Sequence, residues 1–561
     1  MGAFRMQFRD SAGWHSRTTT HARGAAFSGN ELWRSERLAD EVGRTADLAH
    51  FMRLISPLNG YFAAVRQVGD GTLLAAVDRT RSMPLFYAAA AGTFFLSDDA
   101  EWVQQQVGYA EPDELIAAEF LLAGYVTGRD TLNPRVKQLQ AGEALEARLT
   151  EQGMKVQTAL YFRYVRQPRE SLSQDELLAM MDGALQEAVQ RTMLVAAGRC
   201  IVLPLSSGLD SLRIAMMLKR LGARDLIAYS FGRPGNDDAR GSRDAARRLD
   251  IPWLFVPYTA SLWRRWYSSP ECLEYRRYAM GLCSVPILQD WPAVRHLVSE
   301  GLVPQGALFV PGHSAEAFVG TTFMPPDWPP FFDDRFDMEG VIRGILDCHY
   351  NLWREPLASA ELARRLAARI AESLGDAASP TSSAAFYETW AVCERQAKFI
   401  INAVRAYEYW GFEWWMPMWD NAYMDYWRAV PMRYRQQRKI SRTYVEREYP
   451  KWAGPHARPA RRRSVETLLA DAASLGRKLG RRSRMLRSLY LLLDRELKYR
   501  TQPLAWYGIV PHRVYSRLFF PGVNINSFLA LDCLGLLDSS RSAQEQAGIG
   551  KRLARSLVEG A

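Results

Sequence analysis

Between about Trp14 and Phe162, apolar and polar positions alternate in short runs such as YFAAVRQV and TLLAAVDR, the two-residue period of half-buried strands. Turn residues separate these runs, as at Gly69-Asp70-Gly71, and some helix is interspersed. A linker is expected at residues 168–170. Beyond it, Ser173 and Glu176 stand at capping-box spacing ahead of Leu177, Met181, Leu185 and Ala188, which recur at helical spacing. The buried-strand run CIVLPL follows, then the loop SSGLDS and the helical stretch SLRIAMMLKRLG. A second strand (LIAYSFG), a charged helix (DAARGSRDAARRLD) and a third strand (WLFVPY) come next. Alternating strand and helix predicts a parallel α/β sheet, and such sheets bind ligands beyond the carboxyl ends of their strands. Residues 380–450 read as helical and rich in Trp and Tyr. From about residue 453 a basic segment leads into an apolar, helical end, and no internal repeat is present.

Composition narrows the class. A chain of 561 residues exceeds one ordinary core, and 48% hydrophobic with 24% charged residues is the balance of a soluble globular protein. No apolar run approaches the roughly 20 residues of a membrane span. The start, MGAFRMQFRD, has neither the apolar core nor the cleavage site of a signal peptide, so a cytoplasmic location is expected. Cys200, Cys272, Cys283, Cys348, Cys393 and Cys533 are scattered without metal-ligand spacing and read as thiols in a reducing compartment. Much of the net charge of +10 falls between residues 458 and 500, in the runs ARRR and RKLGRRSR. A solvated helix face or linker accounts for it, and so would peripheral contact with a membrane surface or an anionic substrate. No nucleic-acid recognition motif accompanies the charge, and nucleic acid is not expected as a partner.

The most informative stretch is Ser206-Ser207-Gly208-Leu209-Asp210-Ser211, between a predicted strand and a predicted helix. Such a loop turns backbone N–H groups and the positive end of a helix dipole toward an anion. Gly208 lets the backbone approach closely, Ser206 and Ser211 add hydroxyl donors, and Asp210 suits a magnesium ion. The Walker pattern is absent.

This loop resembles the SGGxDS pyrophosphate loop of the ATP pyrophosphatase enzymes, asparagine synthetase among them, with Ser207 where that family carries Gly. Further stretches extend the resemblance. Gly312-His313-Ser314-Ala315-Glu316 is similar to the family's GxGxDE loop, with Glu316 in the place of the metal-binding Asp. Glu274, twelve residues before Pro286, matches the family glutamate that orients the attacking amine. Residues 412–420, FEWWMPMWD, are similar to GLEARVPFLD, and Lys439 lies near the family's pyrophosphate lysine. In the N-terminal part, Leu58-Asn59-Gly60-Tyr61-Phe62, Asp78-Arg79, Pro84-Leu85-Phe86-Tyr87 and Leu96-Ser97-Asp98 resemble landmarks of class II glutamine amidotransferase domains. Those domains use a cysteine at position 2. Here residue 2 is Gly, and no cysteine precedes Cys200, so glutamine hydrolysis by that route is not expected. The phrases SVPILQDWPAV, VPGHSAEAFVG, PLAWYGIVP and NINSFLAL look most like the asparagine-synthetase-like proteins of bacterial surface-polysaccharide pathways, O-antigen included.

The resemblance implies an N-terminal Ntn-hydrolase-like αββα sandwich over residues 1–167. A parallel-sheet, PP-loop synthetase domain of the adenine-nucleotide alpha-hydrolase kind would cover 168–455, with a helical C-terminal part. The basic segment and helical extension would occupy 456–561. It further implies that ATP and Mg²⁺ activate a carboxylate as an acyl-adenylate, releasing pyrophosphate and then AMP. Leu205, Ser206, Ser207, Gly208, Leu209, Asp210, Ser211, Ser230 and Gly312 would bind ATP, Asp210 and Glu316 the metal, and Glu274 and Lys439 would serve catalysis. The expected substrate is a uronic acid sugar, amidated with ammonia that the N-terminal domain does not make. Free ammonia, a separate glutaminase and an amine within the substrate stay open as nitrogen sources. Two other readings stand beside this one: a peptide or lactam cyclase similar to the lasso cyclases and β-lactam synthetases, and a catalytically inactive scaffold.

Overall fold

A computed structural model describes residues 3–313, 336–354, 358–374, 382–452, 484–520 and 523–537. The alternation in the first third produces two stacked sheets. Seven antiparallel strands run in the spatial order Gly153–Leu160, Glu143–Thr150, Thr72–Val77, Asn59–Val68, Thr20–Ser28 and Trp14–Ser16, with Glu31–Arg34 paired to Thr20–Ser28. The second sheet orders Phe4–Gln7, Thr93–Ser97, Phe86–Ala90 and Lys137–Gln138.

Side-chain period sorts the layers. Tyr61, Ala63 and Val65 point between the sheets and pack with Tyr87, Phe94 and Leu96. Phe62 and Ala64, one position over, pack outward against Leu38, Val42, Phe51 and Ile55 of the helices Ser35–Val42 and Leu48–Ile55. On the far side, Phe86, Ala88 and Phe95 meet Ala100 and Val103 of the helix Ala100–Val107. The result is the expected helix–sheet–sheet–helix sandwich.

The second unit begins with the helix Gln174–Ala196, whose Ser173–Glu176 capping box forms as its spacing predicts. Five parallel strands then assemble in the order Trp253–Pro257, Leu226–Gly232, Ile201–Pro204, Leu308–Phe309 and Glu413–Trp414. Sequence order therefore reverses between Ile201–Pro204 and Leu308–Phe309, which opens a crevice at their carboxyl ends.

Two of the sequence landmarks meet at the junction of the units. Tyr61 donates its hydroxyl to the Met416 carbonyl (2.5 Å), and its ring packs on Trp414 and Trp415. Asp420 accepts two 2.7 Å hydrogen bonds from Arg191 and one of 3.1 Å from the Asn59 amide. The FEWWMPMWD stretch thus anchors the parallel-sheet unit to the sandwich. The expected linker is also tied down, since Gln167 and Arg169 donate backbone hydrogen bonds to the carbonyls of Arg428 and Ala429 (2.9 Å each). The described part of the C-terminal extension lies against the parallel-sheet unit. A methyl group at Gly508 would fall 2.3 Å from the Ala260 carbonyl oxygen, so glycine is what permits that approach. Among the described residues no helix is long and apolar enough to cross a membrane.

Candidate active site at the crossover of the parallel sheet

The strand Ile201–Pro204 ends in the SSGLDS loop, and the helix Leu209–Arg220 starts from Gly208 without a side-chain cap. Its first N–H groups therefore face the crevice, the arrangement that receives anions. The loop is fixed from within. The Ser206 N–H donates to Ser211 Oγ and the Gly208 N–H to Ser206 Oγ (3.1 Å each). Ser207 is held from outside, because its N–H and hydroxyl both donate to Asp238 Oδ1 at 2.7 and 2.6 Å. Asp238 lies in the first turn of the helix Asp237–Arg248, and Gly241 one turn on leaves room for Ser207, where a methyl would come within 2.7 Å of the serine Cβ.

Across the crevice, Gly312 presses on the same helix start. A methyl there would lie 3.0 Å from the Ser211 nitrogen. Asp210 carries two arginines. Arg213 holds Oδ1 and Arg438 donates to Oδ2 at 2.8 Å. Burial works against the charge of Arg213, but Tyr423 and Asp210 beside it raise its pKa.

The crevice opens into a cavity of about 580 Å³, a volume suited to a nucleotide-sized ligand. Leu205, Ser206, Gly208, Asp210, Ser211, Ser230 and Gly312 line it, so seven of the expected ATP residues converge there. Ser207 stays on the loop facing Asp238, and Leu209 opens the helix. Ser230 Oγ and Gln396 Oε1 are buried on the cavity wall with no hydrogen-bond partner among the described residues. Buried polar atoms are costly when unsatisfied, so this wall fits a polar ligand.

Three site expectations fare differently. Glu274 sits on the exposed face of the helix Pro270–Met280, accepts a 3.3 Å hydrogen bond from Tyr409 and does not line the cavity. Lys439 is exposed with its ammonium over the Tyr434 ring, while its neighbour Arg438 reaches the cavity. Gln437 and Arg438 adopt left-handed backbone angles (φ 50° and 60°), and this turn directs the arginine inward. Glu316 lies outside the described residues. Both oxygens of Asp210 are taken by arginines, and no three acidic, histidine or cysteine side chains converge among the described residues, so these alone do not form a magnesium site.

The structure also brings in residues that spacing did not single out. Asp290 is 3% exposed and accepts hydrogen bonds from Tyr407 (2.6 Å) and Tyr229 (3.4 Å). Burial pushes its carboxyl up to about 6 despite those hydroxyls. Arg395, Gln396 and Ile400 enter from the π-helix Ala391–Phe399 and the turn after it, and wide helical turns of this kind recur at functional sites. Gln502, Pro503, Leu504 and Trp506 close one side. That strap is pinned where Arg233 donates its N–H to the Pro503 carbonyl (2.6 Å) and Trp263 Nε1 to the Leu504 carbonyl (2.6 Å).

Residues 180–262, which run from the long helix through the loop to the third strand and just beyond, match the asparagine synthase family model. This segment is therefore similar to the asparagine synthase family. The match supports a carbon–nitrogen ligase of the asparagine-synthetase type that uses ATP. No curated relative matches the chain.

Proposed function

We propose that this chain activates the carboxyl group of a uronic acid sugar with ATP and converts it to an amide, using nitrogen that the sandwich unit does not generate. The observation that carries the reading is the SSGLDS loop opening on the 580 Å³ cavity whose wall holds the unsatisfied Ser230 and Gln396 atoms. A carboxylate resists amines in water because its carbonyl is resonance-stabilised and its leaving group is poor. Attack of its oxygen on the α-phosphorus of ATP gives an acyl-adenylate and pyrophosphate, and amine attack on the acyl carbon then expels AMP. ATP enters as its magnesium complex. The uncapped N–H groups after Gly208, with Ser206 and Ser211, receive the phosphates, and Arg438 balances the charge that grows on pyrophosphate. The absence of any cysteine before Cys200 supports a nitrogen source outside the sandwich.

The test is AMP release from Mg·ATP with nucleotide-linked uronic acids and aspartate, with ammonium or an amine present or omitted. AMP formed only with a uronic acid, and a product carrying the added nitrogen, supports the reading. AMP formation restricted to peptides that lose one water without added nitrogen would replace it with a cyclase.

A further inference from the structure

A second cavity, of about 190 Å³, adjoins the first. Gln289, His313, Ile400 and Trp506 border both, so they form the wall between the two spaces. The second cavity is apolar. Trp263, Phe399, Ala403, Ile525 and Leu529 supply much of its lining, and among its described lining residues none is an acid, a lysine or an arginine. At the boundary, His313 Nδ1 is buried and has no hydrogen-bond partner among the described residues. Burial also lowers the His313 pKa to about 4, which leaves the ring neutral with a lone pair to offer.

We propose that this apolar cavity is the site of the nitrogen nucleophile, and that it takes a neutral primary amine bearing an aliphatic or aromatic group of about six carbons, with the amine nitrogen at His313. The inference rests on the acyl-adenylate chemistry proposed above. Size argues against ammonia as the occupant. Ammonia is the size of one water, whereas an engineered apolar cavity of about 150 Å³ accepts benzene. Charge argues against an ammonium ion, because nothing described on these walls would stabilise a cation. In the step itself a C–N bond forms at the acyl carbon and the C–O bond to the adenylate phosphate breaks, with AMP leaving on the electron pair. The proton lost by nitrogen passes to His313 Nδ1 and from there to solvent in the larger cavity.

Binding of benzylamine to the full chain, read by saturation-transfer NMR at a pH where the amine is neutral, tests the site without requiring turnover. Benzylamine should bind, and affinity across straight-chain amines should rise about fourfold per methylene until the cavity is full. Ala403→Leu, which fills the cavity, should abolish the signal, with Leu529→Phe as the second filling variant should the first fail to fold. His313→Leu should weaken benzylamine tenfold or more and leave toluene binding unchanged. No benzylamine binding, binding that survives both filling variants, or equal loss of amine and toluene in His313→Leu would overturn the assignment. Carboxylate-dependent exchange of pyrophosphate into ATP, measured with UDP-glucuronic acid and no amine, reports the activation step separately. Failure of that exchange with amine binding intact would overturn the proposed function, and with it the nucleophile role, while leaving the cavity standing as an amine site.

Discussion

Asp290 offers a quantitative check on the electrostatics of the cavity. Its carboxyl is fully enclosed on the protein side, and the two tyrosine hydroxyls that donate to it do not offset the loss of water. A rise from 3.8 to about 6 corresponds, at about 1.4 kcal/mol per pH unit, to about 3 kcal/mol. The folded state holds the proton more tightly than the unfolded one. The stabilising contribution is therefore complete below pH 3.8 and is lost as pH rises through about 6. Above pH 7 the wild type carries the full penalty of an ionised, buried carboxylate, and at pH 5 roughly half of it.

Asp290→Asn removes the ionisation while keeping an oxygen to accept from Tyr407. The variant should therefore be more stable than wild type at pH 7.5, by up to about 3 kcal/mol, and that advantage should shrink by about 1.5 kcal/mol at pH 5. Urea unfolding followed by tryptophan fluorescence at the two pH values measures both quantities. An advantage that is absent at pH 7.5, or equal at the two pH values, would refute the argument that burial governs this carboxyl.

Three further substitutions test the same geometry. Arg438→Ala removes the cation bonded to Asp210 beside the phosphate loop and should raise the KM for ATP roughly tenfold or more, whereas Lys439→Ala, at an exposed position over Tyr434, should leave it unchanged in steady-state AMP release. Asp420→Ala strands Arg191 and the Asn59 amide at the junction and should cost about 3 kcal/mol, seen by calorimetry as a lower melting temperature with the two units unfolding separately.

Most of the architecture was legible because it is written in local periods. The strands CIVLPL, LIAYSFG and WLFVPY and the Ser173–Glu176 cap appear where the pattern puts them, since hydrophobic period and capping act over a few residues. The phosphate loop was legible for the same reason. Residues that reach the cavity across long sequence separations were not. Asp290 stood inside a stretch noted only for its resemblance, and its depth depends on Tyr229 and Tyr407, 61 and 117 positions away. Asp238 read as one more charge on a charged helix, although its partner Ser207 is 31 residues earlier. Spacing to a proline pointed to Glu274, but spacing fixes no direction in space, and that helix turns the side chain outward. The exchange of Lys439 for Arg438 follows from two consecutive left-handed residues, neither of them glycine, which no local pattern announces.

The origin of the cavity walls bears on which parts of the site are locally encoded. The matched segment, residues 180–262, supplies the phosphate loop, Ser230, Asn236 and Asp238. That is the half of the cavity which would meet the triphosphate, a group common to every ATP-dependent activation. Asp290, His313, Arg395, Gln396, Arg438 and Trp506 all come from beyond it, and the strap at 502–506 lies nearly 300 residues after the loop it faces. A wall assembled from several distant segments can change residue by residue without disturbing the strand–loop–helix core, because each segment is anchored by its own contacts, as the strap is by Arg233 and Trp263. The element that would meet the nucleotide is thus locally encoded, and the wall facing it is built from elements that only the folded chain brings together. Substitutions on the far wall, Arg438 apart because it bonds Asp210 of the loop, should then alter which carboxylate and which amine are joined while leaving ATP binding in place.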